Sequence, residues 1–414
     1  MVASTDIKFY VHTNTGAPQL QNAFGCMIDV LDACLVNGFG SQTVSTLTAS
    51  GTTATATFGS AHNFMQYQVI NIAGATQTEY NGEFRILTVP NANSITFQLA
   101  AVPSVTTATG TISCSLPSLG WLKPFSGTGK AAYRSANTLL ASRPYLRVVD
   151  ALDAAYTSTY AKYAKVGIVE DMTDIDTLLG VQAPYDSANP DKNWVGTGSG
   201  TSAYNGWAKW YYAHGAAHTS LTGDTTTPAN GNRNWLLVGT TDYFYIFPAA
   251  IPNNTFTLAY GFGSFKTLLN LDNSNVFLSA TYNYNTAAGS YFKGESTGLL
   301  GSIANQKLLL QRGYSQTANY VEAGTVSLGV GVGSVRTGYS NYIGAYSLAS
   351  VSPFAPVFIN ETVLRGEVPN LNWLFQQKPY NNYQFIEKDN TAYMAVDCAP
   401  TSGQGQIIIK LGDL

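Results

Sequence analysis

Residues 43–58 read TVSTLTASGTTATATF, and they decide the fold class because apolar and polar side chains alternate on both sides of Ser50 and Gly51. A period of two is the pattern of a half-buried β-strand, and a Ser-Gly pair is typical of a turn. The stretch therefore predicts two adjacent strands joined by a short turn.

Further runs extend this pattern downstream. They are YQVINI (67–72), EFRILTV (83–89), SITFQLA (94–100) and GTIS (110–113). In TEYNGEFRIL (78–87), the pair Asn81-Gly82 precedes Phe84 and Ile86, which predicts a hairpin turn at that pair. About six short strands in one segment predict a small β-barrel or β-sandwich.

The composition changes where these runs begin. Between residues 43 and 115 the only charged side chains are Glu79, Glu83 and Arg85, while Thr, Ala and Ser dominate. Because insertions are tolerated at exposed loops between existing elements, we predict an inserted β-module at 43–115 that projects from a larger body. The predicted body is discontinuous and comprises residues 1–42 and 116–414.

The remaining sequence predicts a mainly β body with one amino-terminal helix. IKFYVH (7–12) predicts a strand, and apolar residues between Pro18 and Val36 recur at spacings of three and four, which predicts the helix. Extended runs continue to the carboxyl terminus, including a hairpin at 234–247 with a polar turn at 240–242. The predicted body is sandwich-like or barrel-like.

Residues 181–232 form a turn-rich segment, which we predict to be a long aromatic loop region within the body. Segments this long without regular structure are usually functional or flexible. YNGWAKWYYAHGAAH (204–218) predicts a short helix inside it. The aromatic candidates for glycan binding or for a subunit interface are Trp194, Trp207, Trp210, Tyr211 and Tyr212. Such rings can stack on sugars, but aromatic anchors also mark interfaces, and packing in a core or an interface is favoured.

The bulk composition excludes several classes of partner. Only 11% of the 414 residues are charged, and the net charge is −3 without any run of Lys and Arg. This chain lacks the basic surface that nucleic-acid binding requires. No apolar run reaches the ~20 residues of a membrane-spanning helix, and the first residues lack the apolar segment of an export signal. We expect no nucleic-acid partner, no membrane insertion and no secretion.

Motifs for catalysis and for cofactor binding are incomplete. FSGTGKAAY (125–133) resembles a phosphate-binding loop, but Pro124 stands where the first Gly is needed and Ala131 replaces the Ser or Thr that ligates magnesium. GVGVGSV (329–335) lacks the glycine spacing of a dinucleotide site. The four scattered cysteines indicate buried, reduced thiols. We predict no catalytic residue, no cofactor and no enzymatic activity.

Two clusters of potential metal ligands have simpler interpretations. His214 and His218 have the spacing of a zinc site, but Gly215 stands where a zinc hydrolase has Glu. VEDMTDIDT (169–177) lacks the Gly and the closing Glu of a calcium loop. Its acidic residues are Glu170, Asp171, Asp174 and Asp176. Packed or surface histidines and a solvated acidic turn are favoured, so we predict no metal site.

Seven short islands resemble a family of virion-associated structural proteins of tailed bacteriophages and prophages. They are KFYVHTNTGAPQL (8–20), FSGTGKAAYRS (125–135), MTDIDT (172–177), RNWLLVGTTDYFYIF (233–247), YGFGSF (260–265), SPFAPV (352–357) and LRGEVPNLNW (364–373). The inserted segment resembles a small β-module within many phage surface proteins. The chain departs from the family at two turns, where Asn370 replaces Gly and Thr240-Thr241 replaces an acidic residue and Gly.

The resemblance implies a virion component of the tail, the neck or collar, or the capsid surface. It implies synthesis in the host cytoplasm and partners that are copies of the same chain, in closed rings, and other virion proteins. The leading hypothesis is a non-enzymatic, homo-oligomeric structural protein. The alternative is a phage receptor- or glycan-binding protein that holds a host surface glycan with Trp194, Trp207 and Trp210, and a polysaccharide depolymerase is a third hypothesis.

Overall fold

The computed structural model describes residues 3–199, 206–215, 226–282, 297–300, 307–328, 335–336, 354–374, 379–398 and 405–414. Strands make up about half of these residues, and helical turns are few and short. The predicted class, a mainly β protein with one amino-terminal helix and a small barrel, is confirmed.

The amino-terminal region contains strand β1 and a shorter helix than the apolar stripe predicts. Strand β1 spans Lys8–Val11, helix α1 spans Cys26–Leu31, and a π-helical turn continues over Asp32–Asn37. The predicted start near Pro18 is wrong, because Leu20 forms a β-bridge with Arg233 instead of a helical turn. Gly25, at a left-handed φ of 96°, then caps the helix, a conformation that glycine adopts without a steric penalty.

A closed barrel forms between residues 39 and 116. Its six strands are β2 (Phe39–Ser50), β3 (Thr53–Phe58), β4 (Val69–Ala75), β5 (Gly82–Asn91), β6 (Ser94–Gln98) and β7 (Gly110–Leu116). They pair in the order β2-β3-β6-β5-β4-β7. The six runs with a period of two therefore mark the strands of this barrel.

The barrel interior is filled by the apolar members of those runs. Leu47, Ile72, Ile86 and Phe97 are all buried, and alternate residues of β3 point inward. The predicted two-residue turn at Asn81-Gly82 is wrong. A 3₁₀ turn over Thr78–Tyr80 joins β4 to β5 instead, and the Asn81 side chain bonds both the amide and the carbonyl of Ala75 across it. The side chain thus supplies the closure expected of the backbone turn.

The described part of the body contains twenty further strands. The first ten are β8 (Leu122–Gly127), β9 (Lys130–Arg134), β10 (Tyr145–Val149), β11 (Lys162–Met172), β12 (Leu178–Ala183), β13 (Ala208–Ala213), β14 (Trp235–Gly239), β15 (Tyr243–Pro248), β16 (Tyr260–Ser264) and β17 (Lys266–Thr267). The others are β18 (Val276–Ser279), β19 (Thr281–Tyr282), β20 (Leu308–Leu310), β21 (Val321–Leu328), β22 (Val335–Arg336), β23 (Phe354–Asn360), β24 (Leu364–Leu374), β25 (Phe385–Lys388), β26 (Thr391–Cys398) and β27 (Gly405–Asp413).

These strands and β1 form two sheets. The large sheet has fourteen strands. Twelve follow the path β1-β14-β15-β16-β18-β20-β21-β23-β24-β27-β26-β25, and β17 and β22 pair at its side, β17 with β24 and β22 with β21. The small sheet has seven strands in the order β19-β13-β11-β10-β9-β8, with β12 beside β11. The hairpin predicted at 234–247 is confirmed as the antiparallel pair β14-β15.

The aromatic segment is not a helix. Ala208–Ala213 is strand β13, paired on one side with β11 and on the other with β19. The helix predicted at 204–218 is wrong because pairing on both edges overrides the local pattern, and every residue of β13 is buried. The turn-rich region predicted at 181–232 therefore contains a central strand of the small sheet, while 200–205 and 216–225 lie outside the described residues.

The large sheet separates two apolar cores. In β14 and β15 the side chains of Leu237, Phe244 and Ile246 face a core shared with α1, the small sheet and the barrel interior. Leu236 and Val238 face a second core on the other side. Both faces of these strands are therefore buried, which explains their nearly continuous apolar sequence.

The large sheet curls until its two edge strands approach each other. Phe9 in β1 and Phe385 in β25 have ring centroids 6.2 Å apart, although these strands stand at opposite ends of the pairing path. Tyr67, from the loop before β4 of the barrel, packs edge-on against Phe385 at 5.2 Å. We call this gap between β1 and β25 the seam, and the barrel lies against it.

Candidate functional site

The aromatic residues singled out by the sequence lie mostly inside the protein. Trp210 is fully buried, stacks on Tyr260 with centroids 5.9 Å apart, and donates its indole Nε1 proton to the carbonyl of Ser279 at 2.8 Å. Tyr211 packs against Tyr163 at 5.0 Å. Trp210 thereby fastens the small sheet to the large sheet, while Tyr211 and Tyr163 join neighbouring strands of the small sheet.

Tyr212 and Trp194 are also enclosed. The Tyr212 hydroxyl donates to the buried carboxylate of Asp150 at 2.6 Å. The guanidinium of Arg147 lies 4.5 Å from the centroid of the Trp194 ring and covers one of its faces. The candidate rings therefore do not share one open face on which a sugar can stack, and their burial fits the packing interpretation.

Trp207 is the candidate that reaches a pocket. Its backbone amide and that of Ala208 both donate to Asn193 Oδ1 at 2.9 Å, and Asn193 Nδ2 donates to the carbonyl of Val166 in β11. Gly206, with φ of 83°, brings the chain against the Lys165 side chain where a Cβ atom would clash at 2.8 Å. These contacts fix Trp207 at the beginning of β13.

The pocket has a volume of about 560 Å³ and lies where the small sheet meets the large sheet. We call it the aromatic pocket. Its described lining residues are Tyr185, Asp186, Ser187, Lys192, Trp207, Asn319 and Tyr320. Three segments supply them, namely the loop after β12, the beginning of β13 and the approach to β21. Three aromatic rings and four hydrogen-bonding side chains thus surround one space.

Tyr320 in the wall of the aromatic pocket is held by a hydrogen-bond network that includes Tyr282 and Glu322. The Tyr282 hydroxyl lies 3.1 Å from that of Tyr320 and donates to Glu322 Oε1 at 3.0 Å. Burial, followed by the proximity of Tyr320 and Glu322, raises the pKa of Tyr282 far above its ordinary value, so this hydroxyl stays protonated. Tyr320 is therefore oriented by groups behind it.

The charged groups of the aromatic pocket balance each other. Hydrogen bonds from the side chain of Asn189 and the amide of Ala188 hold the pKa of Asp186 below its usual value, and Lys192 adds to this effect. One negative and one positive side chain therefore face the same space. Such a surface favours a polar ligand without a large net charge.

The acidic segment 169–177 is used for ion pairs. Glu170 accepts from Arg312 Nη2 at 2.6 Å, and Asp176 accepts from Lys130 and from Arg147 at 2.7 Å. Asp174 accepts from the amides that follow it. Among the described residues, His, Cys, Asp and Glu side chains nowhere form a group of three that could hold a metal ion.

The remaining motifs have simple structural explanations. Gly129-Lys130 lies in the tight turn between β8 and β9, and Lys130 pairs with Asp176 rather than facing a nucleotide-sized cavity. His214 is buried beside Tyr211, and His218 lies outside the described residues. Most of GVGVGSV also lies outside them.

Sequence reasoning found only Trp207 among the residues of the aromatic pocket. Tyr185, Asp186 and Lys192 stand in the turn-rich region, where a sequence shows polarity but not direction. Asn319 and Tyr320 belong to a distant segment that the sheet topology brings alongside. The Tyr-Asp-Ser triplet at 185–187 was the available signal, because it places an aromatic ring beside two hydrogen-bonding groups.

The comparisons with known proteins leave the site to be argued from its geometry. The chain matches no model of a known protein family, and no curated protein is significantly similar to it. Within the described ranges, neither of the helical stretches has the length and apolar character needed to cross a bilayer.

Proposed function

We propose that the chain is a non-enzymatic structural component of a tailed-bacteriophage virion that is made in the host cytoplasm and assembles as a homo-oligomer. The motif islands of the sequence, the mainly β body and the low charge support this proposal. The tail, the neck or collar and the capsid surface are the positions it covers. Its contacts are with copies of itself and with other virion proteins.

The observation that carries the proposal is an exposed apolar cluster at one end of the large sheet, which we call the apolar patch. Its members are Leu268, Leu271, Tyr314, Val363 and Leu364, each more than a third exposed. Leu271 is 81% exposed. Exposed apolar side chains that lie close together mark interaction sites in soluble proteins.

Three chain segments meet beneath the apolar patch. The amide of Leu268 donates to the carbonyl of Arg365 at 2.9 Å, and the amide of Tyr314 donates to Glu361 Oε2 at 3.2 Å. Arg365 in turn pairs with Asp272 at 2.7 Å, and both side chains are fully buried. The patch is therefore held in shape before any partner binds, which lowers the entropy lost on association.

A second copy of the same chain is the occupant that the charges favour. The net charge of −3 on 414 residues means that two copies repel each other weakly. Lys266, whose side chain is 74% exposed, stands 3.5 Å from Glu367 at the border of the apolar patch. A two-fold contact can exchange these opposite charges between subunits while it buries the apolar side chains.

Multi-angle light scattering of the purified chain tests this proposal. We expect a mass of two or more whole chains. We expect Leu271→Glu to reduce this mass, because a carboxylate in a subunit interface is desolvated without a partner. Val102→Glu is the control, since Val102 is 69% exposed on the barrel and away from the apolar patch. A single-chain mass at all concentrations, or equal effects of the two variants, contradicts the proposal.

A further inference from the structure

We propose that the aromatic pocket binds an uncharged oligosaccharide. This site is separate from the apolar patch, and the inference does not depend on the structural role. The pocket combines three aromatic rings with side chains that donate and side chains that accept hydrogen bonds. This combination suits a sugar ring, which has apolar C–H faces and hydroxyl groups around its edge.

The aromatic rings supply the apolar contact. Tyr185 is 37% exposed and is the most accessible ring of the lining. Trp207 is buried by its neighbours but lines the inner part of the space, and Tyr320 is half-buried. A sugar that enters between Tyr185 and Tyr320 places the C–H face of its ring against an aromatic surface. Its hydroxyl groups then lie beside the polar side chains of the pocket.

The polar side chains supply orientation. Asp186 accepts one hydrogen bond at each carboxylate oxygen from its own loop, which leaves lone pairs for sugar hydroxyls. Lys192 and Asn319 add donors, and Asn319 adds an acceptor as well. A sugar hydroxyl both donates and accepts hydrogen bonds. These donor and acceptor side chains therefore suit a sugar better than a ligand that can only donate or only accept.

Charge and size define the class of ligand. Asp186 would repel a polyanion and Lys192 a polycation, while neither opposes a neutral ligand. A volume of about 560 Å³ lies within the range of about 300–1,000 Å³ that small-molecule pockets occupy. A short stretch of a neutral polysaccharide therefore fits better than a single small ion or an apolar molecule.

The pocket is organised before the ligand arrives. Asn193 fixes the backbone at Trp207 and Ala208, and the Tyr282 hydroxyl orients Tyr320. Tyr185 is an aromatic ring of the lining that stands on an exposed loop and is itself 37% exposed. Replacing Tyr185 should therefore remove ligand contact without disturbing the supporting hydrogen bonds.

An array of defined neutral oligosaccharides, probed with the full chain, tests the proposal. We expect at least one glucan, galactan, mannan or N-acetylhexosamine series to bind, and we then measure the Kd of that oligosaccharide by calorimetry. Tyr185→Ala should weaken binding about tenfold or more, whereas Val195→Ala, an exposed change on the same loop but outside the lining, should change it less than about twofold. Circular dichroism should show both variants folded.

Three results would overturn the proposal. A blank array would show that the chain does not bind neutral oligosaccharides. Equal Kd values for Tyr185→Ala and the native chain would show that the aromatic pocket is not the binding site. A Kd that changes strongly between about 50 and about 500 mM salt would indicate a charged ligand, since screening acts on charges and not on neutral sugars. None of these results bears on the oligomeric mass, so the structural role and this site fail independently.

Discussion

Tyr67 in the barrel donates a hydrogen bond from its hydroxyl to Glu387 in β25, a residue 320 positions later in the chain. The same ring packs edge-on against Phe385, which approaches Phe9 across the seam. Arg85 of β5 donates a hydrogen bond from Nη2 to the carbonyl of Ile7, just before β1, at 3.1 Å. The barrel therefore bridges the first and last parts of the large sheet, so it is closely packed against the body as well as inserted into it.

Removing the Tyr67 contacts should weaken the whole fold. We expect Tyr67→Phe to lower the free energy of unfolding by about 1 kcal/mol, because it loses one hydrogen bond to an exposed carboxylate. Tyr67→Ala also loses the ring contacts at the seam and should cost about 3 kcal/mol or more. Urea denaturation followed by tryptophan fluorescence measures both.

A double-mutant cycle identifies the partner of Tyr67. Glu387→Gln in the Tyr67→Phe background should cost much less than Glu387→Gln in the native chain, since the hydroxyl that Glu387 accepts from is already absent. If the two costs are equal, Tyr67 and Glu387 do not interact and the proposed bridge is wrong.

The isolated barrel should fold. Phe39 pairs with Leu116 at its base, so the two ends of the segment lie side by side, and residues 39–116 enclose Ile86 and Phe97 between their own strands. We expect a polypeptide of residues 39–116 to give a β-type circular dichroism spectrum and one cooperative thermal transition. Phe97→Ala should abolish the transition or lower the free energy of unfolding by about 3–5 kcal/mol.

The complementary deletion addresses the body. Removing 43–115 and joining Gln42 to Leu116 uncovers Phe9 and Phe385 at the seam, so we expect a folded body with a lower Tm. A body that does not fold would contradict the prediction of an inserted module, and an isolated barrel without structure would do the same.

The Arg365–Asp272 pair should be sensitive to loss of either partner. Both side chains are completely buried, and Arg365 also donates to Glu361 and to the carbonyl of Arg312. Asp272→Ala leaves a buried guanidinium without its main counter-ion and should cost about 3–5 kcal/mol. Lys266→Ala, at an exposed pair nearby, should cost less than about 1 kcal/mol. If thermal unfolding shows that Asp272→Ala and Lys266→Ala lower the free energy of unfolding equally, burial does not set the strength of these ion pairs.

Asp150 should make stability depend on pH. Burial raises the pKa of Asp150 from its ordinary value of 3.8 to about 6, despite hydrogen bonds from Tyr212 and from backbone amides at the start of α1. The folded state therefore holds this proton more tightly than the unfolded state. The resulting stabilisation is complete below about pH 4 and is lost as the pH rises through about 6, and about two pKa units correspond to roughly 3 kcal/mol.

Asp150→Asn isolates this effect. The Tyr212 hydroxyl also lies 3.0 Å from the carbonyl of Ala23, so it can donate there and accept from the new amide. Burial lowers the pKa values of His12 and His62, and these groups oppose Asp150 in both proteins. The difference in unfolding free energy between native chain and variant should therefore fall from pH 4 to pH 7. A difference independent of pH would contradict the assignment.

The sequence predicts the barrel well because alternate residues are buried in strands such as β3, so the period of two is visible in residues such as Ala54 and Ala56. Strand β13 lacks that signal. All six of its residues are buried, including Lys209, whose ammonium group lies 4.2 Å from the centroid of the Tyr163 ring. In sequence, a lysine between aromatic residues is typical of a partly exposed helix. The burial of Lys209 is evident only when the neighbouring strands are known.

The aromatic pocket could not be predicted for a different reason. Trp207 was identified by its type, but Tyr185 and Tyr320 come together only where the small sheet packs against the large sheet. Trp194 and Trp210 look equivalent to Trp207 in sequence, and the structure separates them by what covers their faces. Residue type thus indicated the region, while tertiary packing decided which ring lines a cavity.

Quantitative mass spectrometry of purified particles tests the central claim most directly. The sample is the mature virion of the phage or prophage that, under this proposal, encodes the chain, and the measured quantity is the copy number of this chain relative to the other virion proteins. We predict a fixed copy number in every preparation, equal to the number of subunits in a closed ring or a multiple of it. Absence of the chain from mature particles would contradict the proposed structural role.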